Sequence, residues 1–222
     1  MRFGVVVLAG GFSRRFRGDK RLATIDGKPM LLATLERVQQ ALADFSGSTL
    51  RVVIRARDPL IEHLLNQRGV IATHAPAWPV GIGASITAGA TALLNSEPDL
   101  DVIAVIPADL PQLCSETLVR LLQESQRDRL TVPVCLGEPG ELIAIGADFF
   151  PLLSSLPVRR GLKKLLRDHA ERVYHPLVSD TAIIRSINSP ADFQAVIQPG
   201  PIDRSLGIHR IDRCDTAGVR GA

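Results

Sequence analysis

Aromatic residues are scarce in this chain of 222: one Trp, one Tyr and seven Phe, 4% in all. A groove that stacks successive bases of a single-stranded nucleic acid needs more aromatic faces than that. Cysteine is scarcer still. Cys114, Cys135 and Cys214 are odd in number and far apart, without metal-ligand spacing or an obvious disulfide framework. Such usage fits a reducing cytoplasm. His63, His74, His169, His175 and His209 share no ligand spacing with one another or with a cysteine. No apolar run is long enough to span a bilayer. The N-terminal apolar stretch breaks after about seven residues, at the lower limit for a signal core. Arg14-Arg15 follows that stretch, whereas a twin-arginine signal precedes it. There is no Gly-x-Ser-x-Gly elbow, which argues against a hydrolase triad. Two common phosphate loops are missing as well: Gly-x-x-x-x-Gly-Lys-Ser/Thr and Gly-x-Gly-x-x-Gly.

What is present is an apolar fraction of 45%, enough for a substantial core, in a length that suits one α/β domain with a tail. The net charge is only +3, yet Arg14, Arg15, Arg17, Lys20 and Arg21 fall within eight residues. A local cluster points to a compact polyanion such as a triphosphate, since a nucleic-acid surface spreads its charge along a face. The cluster follows the run Val5-Val6-Val7-Leu8-Ala9-Gly10-Gly11. A buried strand ends at two glycines, whose backbone N–H groups can approach phosphate oxygens with no Cβ in the way. The cations after them neutralise charge, Arg as a fork and Lys as a point charge. This pattern places Lys20 in an exposed, glycine-flanked loop.

Short apolar runs alternate with longer periodic segments, the pattern of βαβ units. Strands are expected at Phe3–Leu8, Leu50–Arg55, Val70–Thr73, Val102–Ile106 and Leu130–Val134. Helices are expected at Met30–Leu42, Pro59–Arg68 with Asp58 as N-cap, Ser85–Leu94 and Ser115–Gln126. In the second half, Glu141–Ala147, Arg172–His175 and Ile183–Ile187 read as strands, and Asp148–Leu153 and Gly161–His169 as helices. Ser189-Pro190-Ala191-Asp192 opens a last helix. From Pro199 the chain is rich in Gly, Pro, Asp and Arg without period, and reads as a poorly ordered tail. The fold expected is a three-layer, doubly wound α/β sandwich with a mainly parallel sheet and a crevice beyond the carboxyl ends of the strands. The loops after Leu8 and Ile106 then share one rim.

The run Val102–Ile106 continues as Pro107-Ala108-Asp109-Leu110-Pro111. A buried strand thus delivers one carboxylate, Asp109, to that rim. A hard oxygen ligand there suits Mg²⁺, which takes one or two protein carboxylates plus phosphate oxygens and water. The segment from Trp78 to Gly89 sets glycines before a helix that starts near Ser85, where N–H groups and a hydroxyl can hold a nucleotide.

Leu8, Ala9, Gly10, Gly11, Ser13, Arg15, Asp19 and Lys20 resemble the signature Leu-Ala-Gly/Ala-Gly-x-Ser-x-Arg…Asp/Pro-Lys of the molybdopterin nucleotidyltransferases. The resemblance runs from about Phe3 to Phe193. It implies the Rossmann-type fold of nucleotide-diphospho-sugar transferases, and a single domain over residues 1–198. Within it, residues 1–135 would bind nucleotide and 136–198 the acceptor, with 199–222 as the tail. It also implies transfer of a nucleotide from CTP or GTP to the terminal phosphate of a molybdopterin-type acceptor, with Mg²⁺ as cofactor and pyrophosphate as product. Leu8, Ala9, Gly10, Gly11, Ser13 and Lys20 would line the nucleotide site with Gly81 and Ser85. Arg15 would grip the β- and γ-phosphates, Lys20 would reach the α-phosphate, and Asp109 would hold the metal.

Gly81, Ser85 and Gly89 match the cytidylyltransferase branch. Gly10 is the guanylyltransferase-like choice. Glu141 stands where the cytidylyl branch has His, and Arg159 where it has Asp. Asn188 replaces its late metal-binding Asp, so Asn188 would support the metal through a neutral oxygen. The expected partners are the triphosphate and the phosphorylated acceptor, with a transient contact to the receiving molybdoenzyme or its chaperone, and neither nucleic acid nor membrane. Two other readings stand beside this one: a sugar-1-phosphate nucleotidyltransferase and a nucleotide-binding module without catalysis.

Overall fold

The computed structural model describes residues 1–197 apart from 14 and 17. The expected tail, and Arg14 and Arg17, lie outside the described residues. The first strand, β1 (Phe3–Leu8), is central. Val5, Val6 and Val7 are wholly buried, as a strand covered on both faces must be. After a short hairpin, β2 (Thr24–Ile25) and β3 (Lys28–Pro29), comes helix α1 (Met30–Leu42). Then follow β4 (Thr49–Ile54), α2 (Pro59–Asn66), β5 (Ala72–His74), α3 (Ile82–Ser96), β6 (Val102–Pro107) and α4 (Ser115–Gln123). The second half supplies β7 (Leu130–Thr131), the hairpin β8 (Val134–Cys135) and β9 (Glu138–Pro139), and β10 (Ile143–Gly146). It closes with α5 (Phe150–Leu153), α6 (Leu162–Asp168), β11 (Val173–Tyr174) and α7 (Pro190–Ile197).

Seven strands form one sheet in the order β11-β7-β10-β6-β1-β4-β5, all parallel except β10, which runs antiparallel to both neighbours. The chain winds outward from β1 through β4 to β5, then crosses back to β6 on the other side of β1. The strand order reverses between β1 and β6, so a crevice opens beyond their carboxyl ends. Helices cover both faces. Val5 and Val7 join Leu31, Leu35 and Val38 of α1 and Leu118 and Leu121 of α4. Val6 joins Ile86 and Leu93 of α3, with Phe149, Leu153 and Leu165. The three-layer α/β reading is therefore correct. Among the described residues, no helix is long and apolar enough to cross a membrane.

Helix α3 lies close on the sheet because Gly89 has no side chain. A Cβ there would sit 2.6 Å from Val6 Cγ1 and 2.7 Å from Val53 Cγ2. Gly89→Ala is expected to destabilise the fold by about 1–3 kcal/mol, the usual cost of overpacking. Urea unfolding measures it, and an unchanged midpoint rejects the packing role.

Two expected strands differ. Leu130–Val134 is split, because the chain leaves the sheet after Thr131, passes Pro133, which has no N–H for a ladder, and enters the β8–β9 hairpin. Leu136 (φ 51°) and Gly137 (φ 81°) supply the two positive φ values that its two-residue turn requires. Ile183–Ile187 is no strand. Thr181–Ile184 forms a 3₁₀ turn, capped by Asp180, whose carboxylate accepts from Ala182 N at 2.9 Å. A short apolar run cannot by itself tell a strand from a capped turn with one buried face.

Candidate active site

The loop after β6 is tightly held. Ala108 N donates to Leu8 O (3.1 Å), and the Ala108 carbonyl accepts from the buried hydroxyl of Thr34 on α1 (3.0 Å). The Asp109 carbonyl accepts from Ile187 N (3.3 Å). These bonds fix the Asp109 carboxylate at the end of β6, beside the glycine loop that follows β1. Lys20 comes from the far end of that loop. Its Nζ donates to Asp109 Oδ2 at 2.5 Å and to Ile187 O at 3.0 Å. The side chains of Lys20 and Asp109 are 15% and 13% exposed. Lys20 is thus not the exposed residue that the glycine-flanked pattern predicts. Burial is tolerated because charge and hydrogen bonds are both matched.

Leu8, Ala9, Gly10, Gly11, Lys20, Gly81, Ser85 and Asp109 line one pocket of about 350 Å³. The pocket lies where strand order reverses. Gly81 N-caps α3, and a Cβ there would come within 2.3 Å of Val158 O. The same crowding at Gly83 shows that these glycines seat the helix against residues 157–158. A Cβ at Gly10 would meet Ser85 Oγ at 3.5 Å and the Ile54 carbonyl at 4.0 Å, ordinary contacts. Either Gly or Ala therefore fits this position. Ser85 Oγ donates to Gly81 O at 3.3 Å.

Three expected site residues lie outside the pocket lining. Ser13 holds the loop instead: it adopts φ 49°, and its Oγ accepts from Lys20 N at 3.3 Å. Arg15 is exposed on the loop. Asn188 is exposed, its Nδ2 donating to Ser186 Oγ at 2.6 Å and its backbone N to Asp192 Oδ2 at 2.9 Å. The pocket also gathers residues that sequence reasoning passed over. Phe12 and Glu141 line it, and Glu141 Oε1 accepts from Ser186 Oγ at 2.8 Å. Phe12 had a signal, being next to Gly11. Glu141 had one only as a departure from the family pattern.

Arg21 departs from expectation most. It is 3% exposed and spends its charge inside the protein. Its Nε and Nη2 donate to Asp19 (2.8 and 2.5 Å), its Nη1 and Nη2 to Asp58 (2.5 and 3.2 Å), and Nη1 also to Ala9 O (2.8 Å). Asp58 precedes α2 as expected, but its side chain makes no capping bond because it serves Arg21. Burial pushes the Asp19 carboxyl up, but hydrogen bonds and charge from Arg21, with the charge of Arg55, outweigh this and hold it below its ordinary value.

A carboxylate on a pocket rim, a lysine bonded to it and a glycine loop at a helix-flanked crevice are the parts a phosphoryl-binding site uses. The family model described as a MobA-like NTP transferase domain matches residues 5–173. The chain belongs to this family. It is a nucleotidyltransferase of the MobA-like NTP transferase group. A probable molybdenum cofactor guanylyltransferase of Synechococcus elongatus is 32% identical over 208 residues, covering 88% of this chain and 98% of that one. A molybdenum cofactor guanylyltransferase of Xanthomonas euvesicatoria is 27% identical over 201 residues, with 88% and 95% covered. Among solved structures, a nucleotidyl transferase from Methanothermobacter thermautotroptrophicus matches with a TM-score of 0.74 at 20% identity, covering 88% of this chain and 95% of that one. The synthetase of CMP:2-keto-3-deoxy-manno-octonic acid, complexed with CTP, matches at 0.69 and 16%, with 88% and 97% covered. Those two likenesses show the fold.

The donors fit a divalent cation of the hard class. Asp109 offers a largely buried carboxylate to the pocket, and its one cationic partner among the described residues is Lys20. No group of three or more His, Cys, Asp or Glu with metal geometry occurs among the described residues. One protein carboxylate completed by phosphate oxygens and water is what Mg²⁺ accepts.

Proposed function

We propose that this MobA-like chain transfers a nucleotidyl group from a nucleoside triphosphate to the terminal phosphate of a molybdopterin-type acceptor, releasing pyrophosphate. The observation that carries the reading is the Lys20–Asp109 pair, seated on the pocket that Leu8–Gly11 and Ser85 line. GTP is the first choice of donor, because the named relatives are guanylyltransferases. CTP is the second, from the Gly81, Ser85 and Gly89 spacing.

The acceptor phosphate attacks the α-phosphorus in line, and the bond to the bridging oxygen of pyrophosphate breaks. The attacking oxygen already carries charge, so the protein needs no nucleophile of its own. Its work is alignment and charge neutralisation. Lys20 leaves Asp109 for the α-phosphate. Arg15, exposed on the loop, closes over the β- and γ-phosphates. Ser85 and the loop amides fix the rest of the nucleotide. Mg²⁺, held by Asp109, would supply charge stabilisation to phosphate oxygens. Asn188 adjoins Ile187, whose carbonyl accepts from Lys20, and its neutral side-chain oxygen would support the metal beside Asp109. The segment 136–198, with Glu141, receives the acceptor.

The test is a screen of GTP, CTP, ATP and UTP against molybdopterin and against sugar 1-phosphates, with and without Mg²⁺, reading pyrophosphate. Release with GTP or CTP, molybdopterin and Mg²⁺ is expected. Release only with a sugar phosphate reassigns the acceptor. Nucleotide binding without any release makes the chain a binding module.

A further inference from the structure

The glycine loop is held from behind by a second arginine besides Arg21. Arg55, just past β4, donates from Nη2 to Gly11 O at 2.5 Å and from Nη1 to Asp19 Oδ2 at 3.2 Å. Its guanidinium also lies over the ring of Phe12, 5.1 Å from the centroid. With Arg21 on Ala9 O, two guanidinium groups therefore hold alternate carbonyls of the loop, and both lean on Asp19 at the loop's other end.

Peptide geometry gives this arrangement a consequence. In a planar trans peptide, the carbonyl of one residue and the N–H of the next point opposite ways. A donor fixed on Ala9 O turns the Gly10 N–H away from Arg21. A donor fixed on Gly11 O turns the Phe12 N–H away from Arg55. Gly10 and Phe12 both line the pocket, and among the described residues no carbonyl accepts from their N–H groups. Both guanidinium groups bond the same Asp19 oxygen, and the two backbone donors face away from them on residues that line the pocket, so both can meet an anion there.

We infer that Arg55 and Arg21 are positioning residues: they turn the Gly10 and Phe12 amides toward the triphosphate, and they act from behind the loop without gripping the phosphates. This rests on the nucleotide-transfer reading above. It reverses the natural reading of a basic loop, in which every arginine faces the ligand. Asp19 and Asp58 keep both guanidinium groups engaged, so the cations left for phosphate include Lys20 and Arg15. Salt bridges to two carboxylates also stop Arg21 from moving to the ligand.

The experiment uses the full chain labelled with ¹⁵N, GTP and CTP as probes, and Arg55→Met as the variant. The Arg55 side chain is 22% exposed, so the variant is expected to fold. In the wild type, saturating nucleotide should move the Gly10 and Phe12 amide signals strongly downfield. In Arg55→Met the Phe12 shift should be lost at saturation. KM for the nucleotide should rise about 10- to 100-fold, with kcat falling less than about tenfold, as for other outer residues that orient a ligand. Arg21→Lys keeps the charge and loses the fork; it should lose the Gly10 shift. If that buried variant does not fold, Arg55→Met decides alone. Weaker binding with the Phe12 shift intact at saturation means that Arg55 touches phosphate directly, and overturns the inference. A lower melting temperature with unchanged KM overturns it too, as a structural role only. Failure of the wild type to bind either nucleotide is a different result, which strikes the proposed function itself.

Discussion

Asp109→Asn is expected to lower turnover by about a thousandfold, at the upper end of what one transition-state contact contributes. The substitution keeps shape and removes a full negative charge. An amide oxygen carries no net charge and holds a hard dication more weakly than a carboxylate does, so a metal held by Asp109 as proposed would lose its one charged protein ligand. The cost to folding is real as well. As a loop residue just past a buried strand, Asp109 would be expected to contribute little to the melting temperature. Its bond to Lys20 says otherwise. Removing one partner of a largely buried pair strands the other charge. Lys20 keeps the Ile187 carbonyl and some solvent contact, so the loss should be about 1–3 kcal/mol. Pyrophosphate release under saturating nucleotide and Mg²⁺, with a melting curve beside it, tests both halves. Turnover within about threefold of wild type would remove Asp109 from the chemistry, since even a modest transition-state contact gives more than that.

The sheet and the rim were legible because their signals are local. Val5 to Val7, and Val102 to Ile106, read as strands buried on both faces, and each ends in residues that no strand needs. α1 matches the periodicity of Met30–Leu42 residue for residue. The antiparallel β10 and the capped turn at Thr181–Ile184 were hidden, because short apolar runs say neither direction nor conformation. The candidate site follows the same division. That Asp109 and the glycine loop share a rim comes from strand order, which the alternating pattern implies. That Lys20 bonds Asp109 depends on side chains 89 positions apart. The clamp on the loop was the least legible part. Arg21 reads as one more cation beside Lys20, Arg55 as a strand end and Asp58 as a helix cap. Each local reading is sound. Tertiary contact redirects all three side chains, and no periodicity records that.

Lys20→Met should separate two roles of one lysine. Its ammonium sits 2.5 Å from Asp109 Oδ2, the place a divalent cation would take. On the proposed reading, metal and lysine would compete for one carboxylate, and a triphosphate would resolve the competition by giving Lys20 a new partner. Turnover of the variant should fall about 100- to 1000-fold, because the charge proposed to act at the α-phosphate is gone. Metal binding without nucleotide should move the other way. Freed of its internal cation, Asp109 should bind Mn²⁺ more tightly, and Mn²⁺ should raise the melting temperature of the variant more than that of the wild type, since a ligand stabilises the state it binds. Titration followed by the paramagnetic signal of free Mn²⁺ gives the affinities, and melting curves with and without Mn²⁺ give the stabilisation. A fall in turnover with no gain in Mn²⁺ affinity leaves Lys20 as a phosphate ligand and moves the metal away from Asp109. A gain in affinity with turnover preserved makes the pair a structural ion pair, and the α-phosphate must then be met by another cation. Only the opposed pair of changes fits a lysine that guards the metal's place until the nucleotide arrives.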